Sequence, residues 1–128
     1  MGFKLNKRSM DNLKGAHPDI VRVTLRAAAV SPMEFIVTES LRSVEKQRHY
    51  VKTGASKTMN SRHLSGKAVD LVAVPAPGKV SYLIKDMQLV ANAMFAAAQE
   101  LSVPIEWGGN WKTFKDTPHF ELDRKAYP

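Results

Sequence analysis

The chain has no cysteine. That excludes disulfide staples and every zinc finger built on thiolates, so a bound metal here must be held by histidine and carboxylate side chains. Histidine is itself scarce, and only His17, His49, His63 and His119 occur in the 128 residues. No apolar run reaches the roughly twenty residues a membrane-spanning helix requires. The opening "MGFKLNKRSMDNLKG" lacks the continuous apolar core of a secretory signal. A soluble protein made in the cytoplasm, and staying there unless something else releases it, is expected. No internal repeat, low-complexity tract or long linker divides the chain, so residues 1–128 are expected to form a single domain.

What is present suffices for a core: 44% hydrophobic residues, among them two Trp, five Phe and three Tyr. The formal charge of +7 is lopsided, because residues 1–62 hold 12 Lys/Arg against 5 Asp/Glu while residues 63–128 hold 7 of each. A basic half favours a polyanionic partner such as nucleic acid, lipopolysaccharide or an anionic cell wall. Charge alone does not choose among these, nor separate them from an ordinary surface of solvated lysines.

Periodicity predicts an α+β order of short elements. Residues 17–30 read as a helix, with Pro18 in a first turn that tolerates it and Ile20, Val23, Ala27 and Val30 on one face. "EFIVTES" reads as a strand, and residues 43–54 as a helix capped by Ser43 and closed by Gly54. A loop over 55–67, a strand around Asp70 and the turn "PAPGK" follow. Residues 81–102 form the longest periodic segment. Its apolar stripe of Leu83, Ile84, Met87, Val90, Ala91, Met94, Phe95, Ala98 and Leu101 predicts the central core helix. "VPIEW" and "PHFEL" read as two short strands joined by the loop "GGNWKTFKDT", with too few helical crossovers for a doubly wound parallel sheet. Trp107 and Trp111 flank Gly108-Gly109 and suit either core anchors or cleft walls, with core packing expected for at least one.

The stretch "SRHLSGKAVDLVAV", residues 61–74, begins as a polar loop and ends as an apolar strand with Asp70 inside it. A carboxylate there loses hydration that it recovers only from a cation, a hydrogen-bond network or a metal. His63 stands seven residues before it, Gly66 supplies a turn, and "DTPHFEL" adds His119 with Asp116 three residues ahead. Two histidines and one carboxylate are the three protein ligands typical of a catalytic zinc, with a fourth position left open. Asp116 lies near that point without being needed as a ligand, and suits a general base. The spacing is permissive enough for chance to compete with a metal site, and His17 and His49 read as surface or hydrogen-bonding residues.

Ser61, His63, Gly66, Ala68 and Asp70 form the string S-x-H-x-x-G-x-A-x-D. Together with "EWGGNWKTFKDTPHFEL" and "TESLRSVEKQ", this resembles the zinc peptidases related to VanY-type D,D-carboxypeptidases, and most of all the phage L-alanyl-D-glutamate peptidases. The resemblance implies a small α+β fold of the Hedgehog/D,D-peptidase type, a short antiparallel sheet packed with helices. It implies one zinc per chain on His63, Asp70 and His119, with Asp116 as acid/base where many relatives carry glutamate. Arg42 would stabilise an oxyanion or hold a substrate carboxylate, and Ser61 and Gln47 would contact substrate. The implied substrate is the peptidoglycan stem peptide, cut between L-Ala and D-Glu by a monomeric endolysin. It would wait in the host cytoplasm until a membrane lesion admits it to the periplasm and cell wall, where it lyses the host. The rivals are a D,D-carboxypeptidase or D-Ala-D-Ala dipeptidase with the same zinc chemistry, and a non-catalytic basic metal module binding wall polymer or nucleic acid. A specific nucleic-acid partner is not expected.

If the basic first half steers the protein to anionic envelopes, hydrolysis of whole cell walls falls as salt rises from about 0.05 to 0.5 M, while hydrolysis of a short neutral stem peptide changes much less. Equal salt sensitivity on both substrates would show that the charge does not steer binding.

Overall fold

A computed structural model describes residues 2–113 and 115–128. Helix α1 (Lys7–Asn12) starts on an Asn6 cap that accepts from the Ser9 amide, and α2 (Pro18–Val30) starts on His17. Strand β1 (Glu34–Glu39) is followed by α3 (Val44–Thr53), which begins at the Ser43 cap and ends at left-handed Gly54 as the sequence predicts. A 3-10 turn over Arg62–Ser65 leads into β2 (Ala68–Ala76). Then come β3 (Lys79–Ser81), α4 (Ile84–Leu101), β4 (Ile105–Trp107) and β5 (His119–Leu122).

The strands form one sheet in the order β1-β2-β5-β4, with β3 paired to the far end of β2. Every pairing is antiparallel. Successive side chains in a strand face opposite sides, so the sheet separates its residues by parity. Phe35 and Val37 of β1, Val69, Leu71 and Ala73 of β2, and Phe120 and Leu122 of β5 join the hydrophobic core. That core is completed by Ile20, Val23 and Ala27 of α2 and by Met87, Val90, Ala91, Met94 and Ala98 of α4. Asp70, His119 and Glu121 have the other parity and leave the core for the opposite face.

Three local expectations are corrected. The segment after "PAPG" is a strand: Ser81 pairs with Ala73, so α4 begins at Ile84 rather than at residue 81. Leu83 and Ile84, expected in the core stripe, are 62% and 54% exposed, because the first turn of α4 projects beyond the elements that cover the rest of the helix. The N-terminal segment, for which no element was predicted, contributes α1, too short a helix for apolar periodicity to register.

The helix therefore has an energetic gradient along its length. Met94→Ala, at a site with no exposure, is expected to cost about 2–5 kcal/mol, whereas Leu83→Ala stays within about 0.5 kcal/mol. Urea unfolding of the two variants checks this.

Candidate metal centre and its cleft

Cross-strand register builds the centre. Glu39 of β1 lies opposite Asp70 of β2, and Asp70 lies opposite His119 of β5, so three neighbouring strands present one polar line on the face away from the core. The β1 register shifts between Val37 and Glu39. Without that bulge at Thr38, Glu39 would share the parity of Phe35 and Val37 and point at the helices. His63 arrives from the 3-10 turn, which is stitched to the end of β1 by the Arg42 amide donating to the His63 carbonyl at 2.9 Å. Gly66 closes the turn at φ +71°, and a Cβ there would stand 2.8 Å from the Gly15 carbonyl oxygen.

His63, Asp70 and His119 each offer one ligand atom, and the three atoms lie within 4.8 Å of one another. His63 Nε2 is 3.1 Å from Asp70 Oδ1, and His119 Nδ1 is 3.5 Å from the same oxygen. Both rings are committed behind. His63 Nδ1 lies 2.7 Å from the Ser40 carbonyl, which only accepts, so Nδ1 carries the proton. His119 Nε2 lies 2.8 Å from Glu121 Oε1. Burial opposes the charge on Glu121, but His119, Arg124 and Arg62 outweigh it and hold the carboxyl below its ordinary range. With both rings neutral, two lone pairs and a carboxylate oxygen would converge without a donor among them, a repulsion that a proton or a metal cation relieves. Burial likewise works against a charged His119, yet hydrogen bonds to Asp70 and Glu121 push it up to about 9. Asp70 stays far below the carboxylate range because both histidines overcome its desolvation. A proton can supply the missing charge; a divalent metal fits the same donor set, with its second layer of hydrogen bonds already in place.

The walls of the cleft, about 360 Å³ in volume, include Arg42, Tyr50, Ser61, Trp111, Asp116 and Arg124. Arg42 is nearly buried and gives its guanidinium to Glu39 and to Gln47 Oε1, stacks over Tyr50, and reaches within 3.6 Å of Asp70 Oδ2. Gln47, expected as a substrate contact, is fully buried. Its amide nitrogen donates to Ser56 and to the Thr58 carbonyl, so it braces Arg42 against the loop instead of facing the cleft. Ser61 accepts from the His63 amide and caps the 3-10 turn while also lining the cleft. Trp107 is the core anchor, stacked on Phe120, and Trp111 is the cleft residue, its ring 5.2 Å from that of His119. His17 and His49 lie elsewhere: His17 caps α2 by accepting from the Asp19 amide, and His49 is exposed.

Asp116 enters through a turn in which the His119 amide donates to its carbonyl at 3.1 Å. Its amide in turn donates to the Gly108 carbonyl, and a Cβ on Gly108 would sit 2.3 Å from the Asp116 oxygen. Burial and the nearby Asp70 charge raise the Asp116 carboxyl above its ordinary value.

This geometry coincides with a family model described as phage L-alanyl-D-glutamate peptidase, which matches residues 1–127. The chain belongs to that family. It is 36% identical to the L-alanyl-D-glutamate peptidase of Listeria phage A118 over 91% of this chain and 39% of that protein. To the L-alanyl-D-glutamate peptidase of Escherichia phage T5 it is 28% identical, over 99% of this chain and 94% of that protein. The crystal structure of the Serratia marcescens L-Ala D-Glu endopeptidase ChiX matches with a TM-score of 0.92 at 48% identity, covering 98% of this chain and 94% of that one. The chain thus spans well under half of the Listeria phage relative and nearly all of the other two. As in the L-alanyl-D-glutamate peptidase reading of the sequence, the fold is α+β with a short antiparallel sheet.

Sequence reasoning missed Glu121, Glu39, Ser40, Tyr50 and Gly108. Glu121 carried one available signal: it stands two residues after His119 in a strand and therefore shares its face. Glu121→Gln keeps a carbonyl oxygen for His119 but loses the charge, and is expected to weaken metal binding about 10- to 100-fold with the fold intact. Competition with a chromophoric chelator measures the affinity, and circular dichroism checks the fold.

Proposed function

We propose that this member of the L-alanyl-D-glutamate peptidase family is a zinc peptidase, a single domain over residues 1–128. It hydrolyses the amide between L-Ala and D-Glu in the stem peptides of peptidoglycan and so lyses the bacterial cell wall. The observation that carries the metal assignment is the convergence of His63 Nε2, His119 Nδ1 and an Asp70 oxygen, each ring having its other nitrogen committed to an acceptor behind it. Those three atoms would hold the zinc. When bound, the ion supplies a Lewis acid for the scissile carbonyl and for the attacking water.

The chain's own residues do the rest. Asp116, raised above its ordinary value by burial and by the Asp70 charge, is tuned toward a proton-accepting role. It takes the proton of the attacking water and delivers it to the departing amine. Arg42 has most of its donors engaged by Glu39 and Gln47, so it acts as a fixed positive charge in the cleft wall, offsetting negative charge that develops at the carbonyl. Ser61 and Gln47 support this by positioning His63 and Arg42.

Among the described residues the convergent group stops at three ligands and does not take in Asp116. A three-ligand site suits catalysis rather than a closed structural centre, which disfavours the non-catalytic module. The family match favours the L-Ala–D-Glu bond over terminal D-Ala. Among the described residues no helix is long and apolar enough to cross a membrane.

Mass spectrometry of fragments released from purified peptidoglycan is expected to show new L-Ala C-termini paired with new D-Glu N-termini; release of terminal D-Ala would assign a carboxypeptidase instead. Asp116→Asn is expected to retain metal and fold while turnover drops by about two to four orders of magnitude. Asp70→Asn loses metal affinity and stability together. Metal analysis, thermal unfolding and turnover on the same preparations separate the two carboxylates, and an exchange of these outcomes would exchange their roles.

A further inference from the structure

The corner where β3 passes into α4 gathers the most exposed large apolar side chains among the described residues. Val80, Tyr82, Leu83 and Ile84 are 57%, 55%, 62% and 54% exposed, an apolar cluster at the start of a helix that goes on to bury Met87, Val90 and Met94 and leaves Leu89 39% exposed. Exposed Lys79 and Lys85 bracket it in sequence. The one carboxylate in the first turn of α4, Asp86, accepts from the Ser81 hydroxyl at 2.6 Å and is turned back on its own chain. An apolar wedge flanked by cations, with the neighbouring anion occupied, matches a surface that is apolar within and anionic at its rim.

From this we infer that residues 79–85 form a docking surface for an anionic lipid bilayer, with Leu83 and Ile84 entering the headgroup region, Tyr82 at the interface and the two lysines on lipid phosphates. A second copy of the chain fits poorly, because a two-fold contact through this corner would set its lysines against one another. A glycan strand fits poorly too, since sugars stack on aromatic faces and three of the four exposed side chains are aliphatic. The corner is also tied to the cleft. Thr117, next to Asp116, donates its hydroxyl to the Tyr82 carbonyl at 3.2 Å, so a protein seated on a bilayer by this corner holds its cleft beside the membrane surface.

The test uses the full chain and vesicles of phosphatidylcholine with 30% phosphatidylglycerol (about one lipid in three), compared with phosphatidylcholine alone, by co-sedimentation. Binding to the anionic vesicles is expected. Leu83→Ser combined with Ile84→Ser lowers the partition coefficient about tenfold or more, and Lys79→Gln or Lys85→Gln lowers it about fivefold each. All four side chains are exposed, so circular dichroism and thermal unfolding stay unchanged, as does cleavage of a soluble stem peptide. Binding is read without turnover, so its failure is separate from failure of the peptidase assignment. Three outcomes overturn the inference. The anionic vesicles do not bind. They bind the serine variant as well as the parent, which would leave only the general basic charge. Or the serine variant instead loses self-association or binding to lipid-free peptidoglycan.

Discussion

Antiparallel pairing of β1, β2 and β5 sets Glu39, Asp70 and His119 side by side, and every feature of the centre depends on that register. A slip of one residue in β2 would carry Asp70 into the layer occupied by Val69 and Leu71 and bring an aliphatic side chain to the histidines. The hydrophobic core holds the register, since Val69, Leu71 and Ala73 find Phe35, Val37, Phe120 and α4 only in this alignment. Core packing and chemistry are thus two faces of one arrangement.

Around that line the charges are layered. Glu39 and Arg42 lie on one side of Asp70, and Glu121 with Arg62 and Arg124 lies behind His119. Arg62 is anchored by donating to the carbonyls of Leu122 in β5 and of Tyr127 beyond it, so the innermost pair is fastened to backbone at two points. The two aspartates of the cleft respond oppositely. Asp70 is kept ionised by the imidazoles it faces, while Asp116 is pushed toward its neutral form by burial and by Asp70 itself. Carboxylates driven apart in this way divide into ligand and proton carrier.

Much of this was legible in the sequence. An aspartate within an apolar run, a histidine before a turn-forming glycine, and D-x-x-H at the mouth of a strand are local patterns, and the structure brings all four residues to one cleft. Ser43 and Gly54 announced the ends of α3 for the same local reason. What escaped depends on tertiary partners. Glu121 reads as the polar half of an alternating strand until Arg62, 59 positions earlier, is seen beside it. Gln47 reads as an exposed polar residue on a helix until the loop at Thr58 folds over it. The stripe of α4 gave the core-facing side correctly from Met87 onward but carried no information about where its covering layer ends, so Leu83 and Ile84 were misplaced.

The bulge at Thr38 makes the pairing of β1 as consequential as its composition. A strand counts in twos, and one supernumerary residue resets the count just before the charge that braces Arg42. Grafting the recognisable motif residues onto another antiparallel sheet would therefore transplant the ligands without their counter-charge, unless the irregularity travelled with them. Pairing Thr38 regularly with Asp70 would deliver Glu39 to the helices with every catalytic side chain still present in the sequence. In this architecture a backbone irregularity of no chemical interest decides where a chemically essential group can stand.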